Sequence, residues 1–275
     1  LILSGSVSQN NIFGSGKHVS AQLNTGKINT VYALSYTDPY YTIDGVSQGF
    51  EVYLRNVDPT SLSVGNYRTS TLGGTLRFGV PVTEDDTILY GLGVESTKLT
   101  LFSDSPQRFI NFANAFGTKT STLLGTVGWS RDRRDSAIYP TKGVVQRAFG
   151  EAGLPGGNLK YYKLTYQHQW YYPVTRDFTV MLNGEIGEGE GYGEKPLPFF
   201  KNFYAGGVTS VRGYEAASLG PRDSNDEALG GKRRLVGNAE VLMPMPGFRN
   251  DKSIRLSAFM DAGAVYGDGQ QAGTE

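Results

Sequence analysis

Apolar and polar residues alternate one by one through most of this chain, and no other feature restricts its fold as strongly. The clearest alternating segments lie at residues 19–24, 75–80, 178–186 and 253–261, with Met181 as an apolar exception in the third. Side chains at positions i and i+2 of an extended chain share one face of a sheet, so each segment has an apolar and a polar face. We find no convincing stripe of helical spacing and predict no long helix. The pattern predicts an all-β protein.

The alternating segments predict about twelve strands, connected as hairpins in simple antiparallel order. They lie near residues 1–9, 17–26, 28–37, 46–55, 72–80, 87–99, 120–131, 143–151, 159–172, 177–187, 232–243 and 253–266. Several are longer than the roughly 5–6 residues that are usual in soluble sheets. They approach the roughly 9–11 residues with which a tilted strand crosses a bilayer.

The connections between these strands fall into two alternating sets. The first set carries Pro and Asp, which favour turns, and comprises residues 38–45, 81–86, 132–143, 173–177 and 244–251. The second set includes the long connections 56–71, 100–119 and 188–231. Short turns at one end and long loops at the other are typical of outer-membrane β-barrels, whose turns are periplasmic. The simple strand order favours such a barrel over a soluble β-sandwich.

Composition is consistent with an envelope protein and argues against several functions. The 275 residues include 12% aromatic and 19% charged side chains, no cysteine, and a formal net charge of zero. A nucleic-acid-binding surface needs an excess of Lys and Arg, so we predict no nucleic-acid partner. No run of 18 apolar residues occurs, so we predict no transmembrane helix. Aromatic residues near strand ends, such as Tyr161 and Trp170, suit the headgroup layer of a membrane.

The sequence shows no arrangement of residues typical of catalysis or metal binding. The two histidines, His18 and His168, are far apart and have no cluster of acids nearby. Neither a zinc site nor a Ser-His-Asp triad is therefore predicted. The glycine-rich segments at 14–17 and 187–193 lack the spacing and the following helix of nucleotide-binding loops. We predict no enzyme activity, no cofactor and no metal.

One arginine stands in a context that points to a function. The longest connection contains the candidate loop motif Val211, Arg212, Gly213, Tyr214 and Glu215. An arginine at a glycine-flanked turn ordinarily points into solvent. However, the alternation places Glu240 and Asp261 on the polar faces of two later strands, toward the interior of a barrel. A guanidinium can form bidentate, charge-assisted hydrogen bonds with such carboxylates, and a lysine cannot reproduce that planar fork.

Several segments of the chain resemble the BamA family of outer-membrane assembly barrels. The motifs that carry the resemblance are TDPYYTIDG at 37–45, WSRD at 129–132, YPTKG at 139–143, NFYAGG at 202–207, VRGYE at 211–215 and FMDAG at 259–263. Together they cover nearly the whole chain, and the VRGYE motif matches the arginine loop of the family.

The resemblance implies a fold and a site. The fold would be a transmembrane antiparallel up-and-down β-barrel of sixteen strands. Residues 1–275 would hold strands two to thirteen and would lack the POTRA domains, the first strand and the last three strands. Residues 188–231 would form a long loop that enters the lumen, where Arg212 would be bound by Glu240 and Asp261.

The resemblance also implies a function in the outer membrane of a Gram-negative bacterium. The protein would be the central component of a machinery that inserts and folds β-barrel proteins, without nucleotide or metal. Its partners would be the lipid bilayer, unfolded outer-membrane clients and the lipoproteins of the assembly complex.

Two other functions stay open at this point. A secretion pore of the two-partner type shares the arginine loop and would export a large adhesin passively. A strong open conductance in lipid would favour that pore. A soluble β-sandwich that serves as a binding module would need no detergent to stay in solution.

Overall fold

A computed structural model of the protein describes residues 3–26, 28–62, 64–245 and 254–267, which form one twelve-stranded sheet. The strands are β1 (Leu3–Asn10), β2 (His18–Thr25), β3 (Asn29–Asp38), β4 (Ser47–Val57), β5 (Tyr67–Pro81), β6 (Asp86–Leu101), β7 (Lys119–Asp132), β8 (Gly143–Leu154), β9 (Tyr161–Pro173), β10 (Thr179–Gly191), β11 (Arg233–Pro244) and β12 (Arg255–Tyr266). Every strand pairs antiparallel with its neighbours in sequence. The predicted all-β meander of about twelve strands is confirmed, and a two-sheet sandwich is excluded for the described residues. Within them the sheet is open, with β1 and β12 at its edges.

The predicted strand ends differ most from the observed ones where the sequence has little contrast between apolar and polar residues. Strand β5 begins at Tyr67 rather than near residue 72, because residues 68–71 are polar on both faces. Strand β10 continues to Gly191, four residues beyond its predicted end. Residues 188–191, which were predicted to begin the long connection at 188–231, therefore belong to the strand, and that predicted boundary is wrong. Gly187 lies under the ring of Phe203, where an added Cβ would come within 2.7 Å of Cε1.

The connections lie at the two ends of the sheet as the sequence predicts. One end, which we call the turn end, carries the connections at 11–17, 39–46, 82–85, 133–142 and 174–178. The other end, the loop end, carries those at 26–28, 58–66, 102–118, 155–160 and 192–232. The Pro/Asp turns thus share one end and the long connections share the other. Most of the predicted turn at 244–251 lies outside the described residues.

The connection at 102–118 contains an α-helix, α1 (Gln107–Phe116), which the sequence analysis missed. Phe109, Phe112, Ala113 and Phe116 follow one another at helical spacing, so the statement that no such stripe exists was wrong here. The stripe covers only two turns and was obscured by the longer alternating segments. Phe109 is fully buried, and its ring stacks on Phe199 at 3.8 Å between centroids. No helix among the described residues is long and apolar enough to span a membrane.

The two faces of the sheet differ in polarity, as the alternation predicts. We call the face that contacts the 192–232 connection the inner face and the opposite face the outer face. One outer row runs across four strands through Tyr36, Phe50, Leu76 and Leu92. Phe50 is 51% exposed and Leu92 is 60% exposed, although both belong to a regular sheet. A continuous apolar surface of this kind is unusual on a soluble monomer and suits contact with lipid.

We expect that an arginine placed on the outer face will destabilise the protein in a bilayer. Leu182 lies on this face in the middle of β10 and is 41% exposed. Leu182→Arg should lower the free energy of unfolding from lipid vesicles by roughly 2–4 kcal/mol if the residue is near the bilayer midplane. Ser257→Arg, on the inner face of β12, is the control and should cost much less. Equal losses from both variants would contradict a lipid-facing outer surface.

Candidate functional site

The connection at 192–232 folds back along the inner face and reaches β12. Its residue Val211 is 1% exposed and packs against Ala205, Val236 and Val265. Gly263 of β12 makes this approach possible, because an added Cβ there would lie 2.6 Å from Val211 Cγ2. Gly263, the glycine of the FMDAG motif, thus leaves the space into which Val211 packs.

Arg212 forms a forked ion pair with Asp261. Its Nε lies 2.6 Å from Asp261 Oδ2, and its Nη2 lies 2.7 Å from Oδ1. The backbone N–H of Arg212 donates a further bond of 2.9 Å to Oδ2. The remaining terminal nitrogen, Nη1, lies 2.5 Å from Glu240 Oε1. The carboxylate side chains of Asp261 and Glu240 are only 2% and 15% exposed, so the arginine compensates two charges that water scarcely reaches.

Phe259 completes the site, and the sequence analysis did not predict this contact. The guanidinium carbon of Arg212 lies 3.6 Å from the centroid of the Phe259 ring. Planar guanidinium groups stack well on aromatic faces, and lysine does not reproduce this geometry. Phe259 pairs with Glu240 in the register of β11 and β12 and shares its face with Asp261. An aromatic residue on the polar face of β12 was the signal that could have identified it.

A chain of amide hydrogen bonds holds the backbone beside Arg212. Asn238 donates from Nδ2 to the carbonyl of Ser210 at 2.8 Å. Asn183 donates to Asn238 at 2.9 Å, and Gln167 donates to Asn183 at 2.9 Å. Three neighbouring strands therefore position the carbonyl of Ser210, two residues before Arg212.

The other residues of the predicted motif, Gly213, Tyr214 and Glu215, are exposed. Gly213 has φ of 88°, a left-handed conformation that favours glycine. Tyr214 is 56% exposed, and Glu215 is also exposed. Within the motif, the side chains of Val211 and Arg212 contact the sheet.

This geometry is suited to holding a loop and shows no catalytic arrangement. The hydrogen bond to Asp261 raises the pKa of Arg212 above its ordinary value, so the group stays a cation at physiological pH. Among the described residues, no group of three or more His, Cys, Asp or Glu is placed to hold a metal ion. The contacts of Arg212 hold the loop against β11 and β12.

Comparison with known proteins gives similarity along the whole chain. The profile of the Omp85 superfamily domain matches residues 11–275. The outer membrane protein assembly factor BamA of Neisseria meningitidis is 41% identical over 97% of this chain, and that of Nitratidesulfovibrio vulgaris is 29% identical over 96%. The chain spans 35% and 32% of these relatives, about a third of each. The crystal structure of BamA from Haemophilus ducreyi lacking POTRA domains 1–3 matches with a TM-score of 0.88 at 24% identity, covering 96% of this chain and 55% of that one.

We expect that removal of the Arg212 side chain will free the part of the loop around it. One-sided loss of a buried ion pair can cost up to about 3–5 kcal/mol. Because the side chain of Arg212 is 24% exposed, the cost here should be smaller. In Arg212→Ala, limited proteolysis should cut within residues 206–218, while the sheet stays folded because its strand pairing does not involve Arg212. Arg212→Lys should also be cut, since an ammonium cannot replace the fork.

Tyr214→Ala is the matched control, because Tyr214 belongs to the same motif and is exposed. It should resist the protease as well as the unmodified protein does. A digestion pattern of Arg212→Ala identical to that of Tyr214→Ala would show that the ion pair does not hold the loop.

Proposed function

The chain belongs to the Omp85 superfamily, and from that membership we propose that it forms the membrane-embedded sheet of a factor that assembles β-barrel proteins in the outer membrane. The 41% identity with the assembly factor of Neisseria meningitidis, over 97% of the chain, carries this proposal. The apolar outer face supports a location within the bilayer.

The complete protein would be a larger barrel in the outer membrane of a Gram-negative bacterium. We propose that the sheet is completed by further strands to a sixteen-stranded barrel with POTRA domains in the periplasm. The turn end would face the periplasm and the loop end the cell exterior. The bilayer, unfolded outer-membrane proteins and the lipoproteins of an assembly complex would be its partners.

The arginine site supports a mechanical role within that barrel. The forked pair of Arg212 with Asp261 and its contact with Glu240 join the loop to two adjacent strands. Ordering so much chain costs considerable entropy, and the ion pair and the packing of Val211 offset part of that cost. A loop fixed in this way would stiffen the wall at β11–β12. No covalent chemistry is needed, so we propose that the protein is not an enzyme and uses no cofactor.

The proposed activity can be measured with the purified, complete protein in lipid vesicles. Urea-unfolded outer-membrane β-barrels should fold into vesicles that contain the protein several times faster than into empty ones. Arg212→Ala should lose most of that acceleration, while Tyr214→Ala should keep it. Conductance across the same vesicles is recorded in parallel. A steady, large conductance without faster folding would overturn the proposal in favour of a secretion pore.

The proposed orientation can be tested with engineered cysteines, because no cysteine occurs among the 275 residues. Glu84 at the turn end and Asn114 in α1 at the loop end are both exposed. On intact cells, a membrane-impermeant thiol reagent should label Asn114→Cys and should not label Glu84→Cys. After the outer membrane is permeabilised, both should react. The reverse labelling on intact cells would contradict the orientation.

A further inference from the structure

A second cation of the same loop is bound at the inner face, far from Arg212 in the sheet. Lys201 lies in a short 3-10 helix, Phe199–Lys201. Its Nζ is 2.6 Å from Glu151 Oε1 and 3.8 Å from Glu95 Oε2. The side chains of Glu95 and Glu151 are only 8% and 18% exposed. Lys201 therefore supplies charge compensation to two nearly buried carboxylates, on β6 and β8.

Two tyrosines complete the binding of these carboxylates. Tyr161 of β9 donates its hydroxyl hydrogen to Glu151 at 2.5 Å, and its ring lies 5.3 Å from Lys201 Nζ. Tyr53 of β4 donates to Glu95 by reaching across β5. The passage is open because Gly73 has no side chain there, and an added Cβ would lie 2.5 Å from Tyr53 Cζ. The cluster thus joins the loop to strands from β4 to β9.

Two cations on strands of the sheet bind the backbone of the loop close to Lys201. Lys163 of β9 donates from Nζ to the carbonyl of Lys201 at 2.9 Å. Arg234 of β11 donates to the carbonyl of Tyr204 at 3.1 Å and pairs with Glu185. The charges of this region sum to zero. They belong to three cations and three carboxylates: Lys163, Lys201, Arg234, Glu95, Glu151 and Glu185.

The contacts of Lys201 and those of Arg212 have no residue in common. Lys201 contacts β6, β8 and β9 directly, whereas Arg212 contacts β11 and β12. Between them, Gly206 and Gly207 have φ of 112° and 90°, so the chain changes direction at a pair of left-handed residues. The loop is thereby divided into residues 197–204, which we call the shoulder, and residues 206–218, which we call the tip.

We propose that Lys201 is a second and independent anchor of this loop, which keeps the shoulder on the inner face whether or not Arg212 is bound. Lys201 is a positioning residue: it holds the start of the tip at a fixed place, and the tip can leave β12 as a unit. This inference deepens the proposed assembly function. Only the idea that the tip moves during assembly rests on that function. The anchor itself can be tested without measuring assembly.

The charge state of Lys201 agrees with this role. Burial opposes the charged form, but the carboxylates of Glu151 and Glu95 and the ring hydroxyl of Tyr161 outweigh it. The pKa of Lys201 is therefore raised above its ordinary value, and the anchor does not titrate near neutral pH. The shoulder also has apolar contacts, chiefly the stack of Phe199 on Phe109. The experiment must separate these contacts from the effect of the charge.

Hydrogen–deuterium exchange with peptide resolution, on the complete protein in lipid, makes this separation. Lys201→Met keeps most of the side-chain volume and removes the charge. It should raise exchange at residues 197–204 about tenfold and leave residues 206–218 protected. Arg212→Ala should give the reverse pattern. Peptides from β4 to β9 report in the same run whether the sheet is folded.

Lys195→Met is the matched control, since Lys195 lies in the same loop and its Nζ binds the carbonyl of Asn158 instead of a carboxylate. It should leave the shoulder protected. Lys201→Arg, which keeps a cation opposite Glu151 and Glu95, should retain most of the protection that Lys201→Met loses. Unchanged exchange at 197–204 in Lys201→Met, or equal opening of shoulder and tip, would overturn the proposal.

Discussion

Complete pairing of backbone groups between neighbouring strands is the constraint on which the rest of this structure depends. Inside a bilayer, an unpaired N–H or C=O has no water to bind, so a spanning sheet must satisfy these groups strand by strand. Among the described residues the meander pairs β2 to β11 on both sides with hairpin connections alone, and it pairs β1 and β12 on one side each. Because directly paired residues share a face, the registers align apolar side chains in rows such as Phe50, Leu76 and Leu92. The same registers align the polar side chains on the inner face.

The apolar side chains of the outer face point away from the interior, and the strand residues of the inner face, such as Tyr67, Leu99 and Tyr161, do not form a complete apolar core by themselves. The loop end supplies one: Phe109 of α1 and Phe199 of the long loop stack there, with Tyr67 edge-on to both rings. The inner face also carries charged residues, and four of its carboxylates, Glu95, Glu151, Glu240 and Asp261, are compensated by cations of the same loop. Interior packing therefore depends on segments that lie outside the strands. The wall accommodates them with glycines, such as Gly187 under Phe203 and Gly263 under Val211.

The two anchors use different cations for physical reasons. At β12 one carboxylate and one ring lie against the same planar group, which suits the fork and the flat face of arginine. At Glu151 two carboxylates approach a single point from different strands, which suits the compact ammonium of lysine. Each cation lies among groups that are costly to leave unpaired, so the loop is held by charge compensation as well as by packing.

The sequence by itself determined the strands, their order and the face on which each residue lies. These features follow from a period of two that is readable within ten residues, so Glu240 and Asp261 could be assigned to one face without a structure. Helix α1 was missed because its stripe covers only two turns. Tertiary structure alone decided that Phe259 lies under Arg212 and that Lys201 meets Glu95 and Glu151. The residues in these contacts are 47, 50 and 106 positions apart. Their contact depends on the accumulated registers of several hairpins and on the path of the loop, which no local pattern encodes.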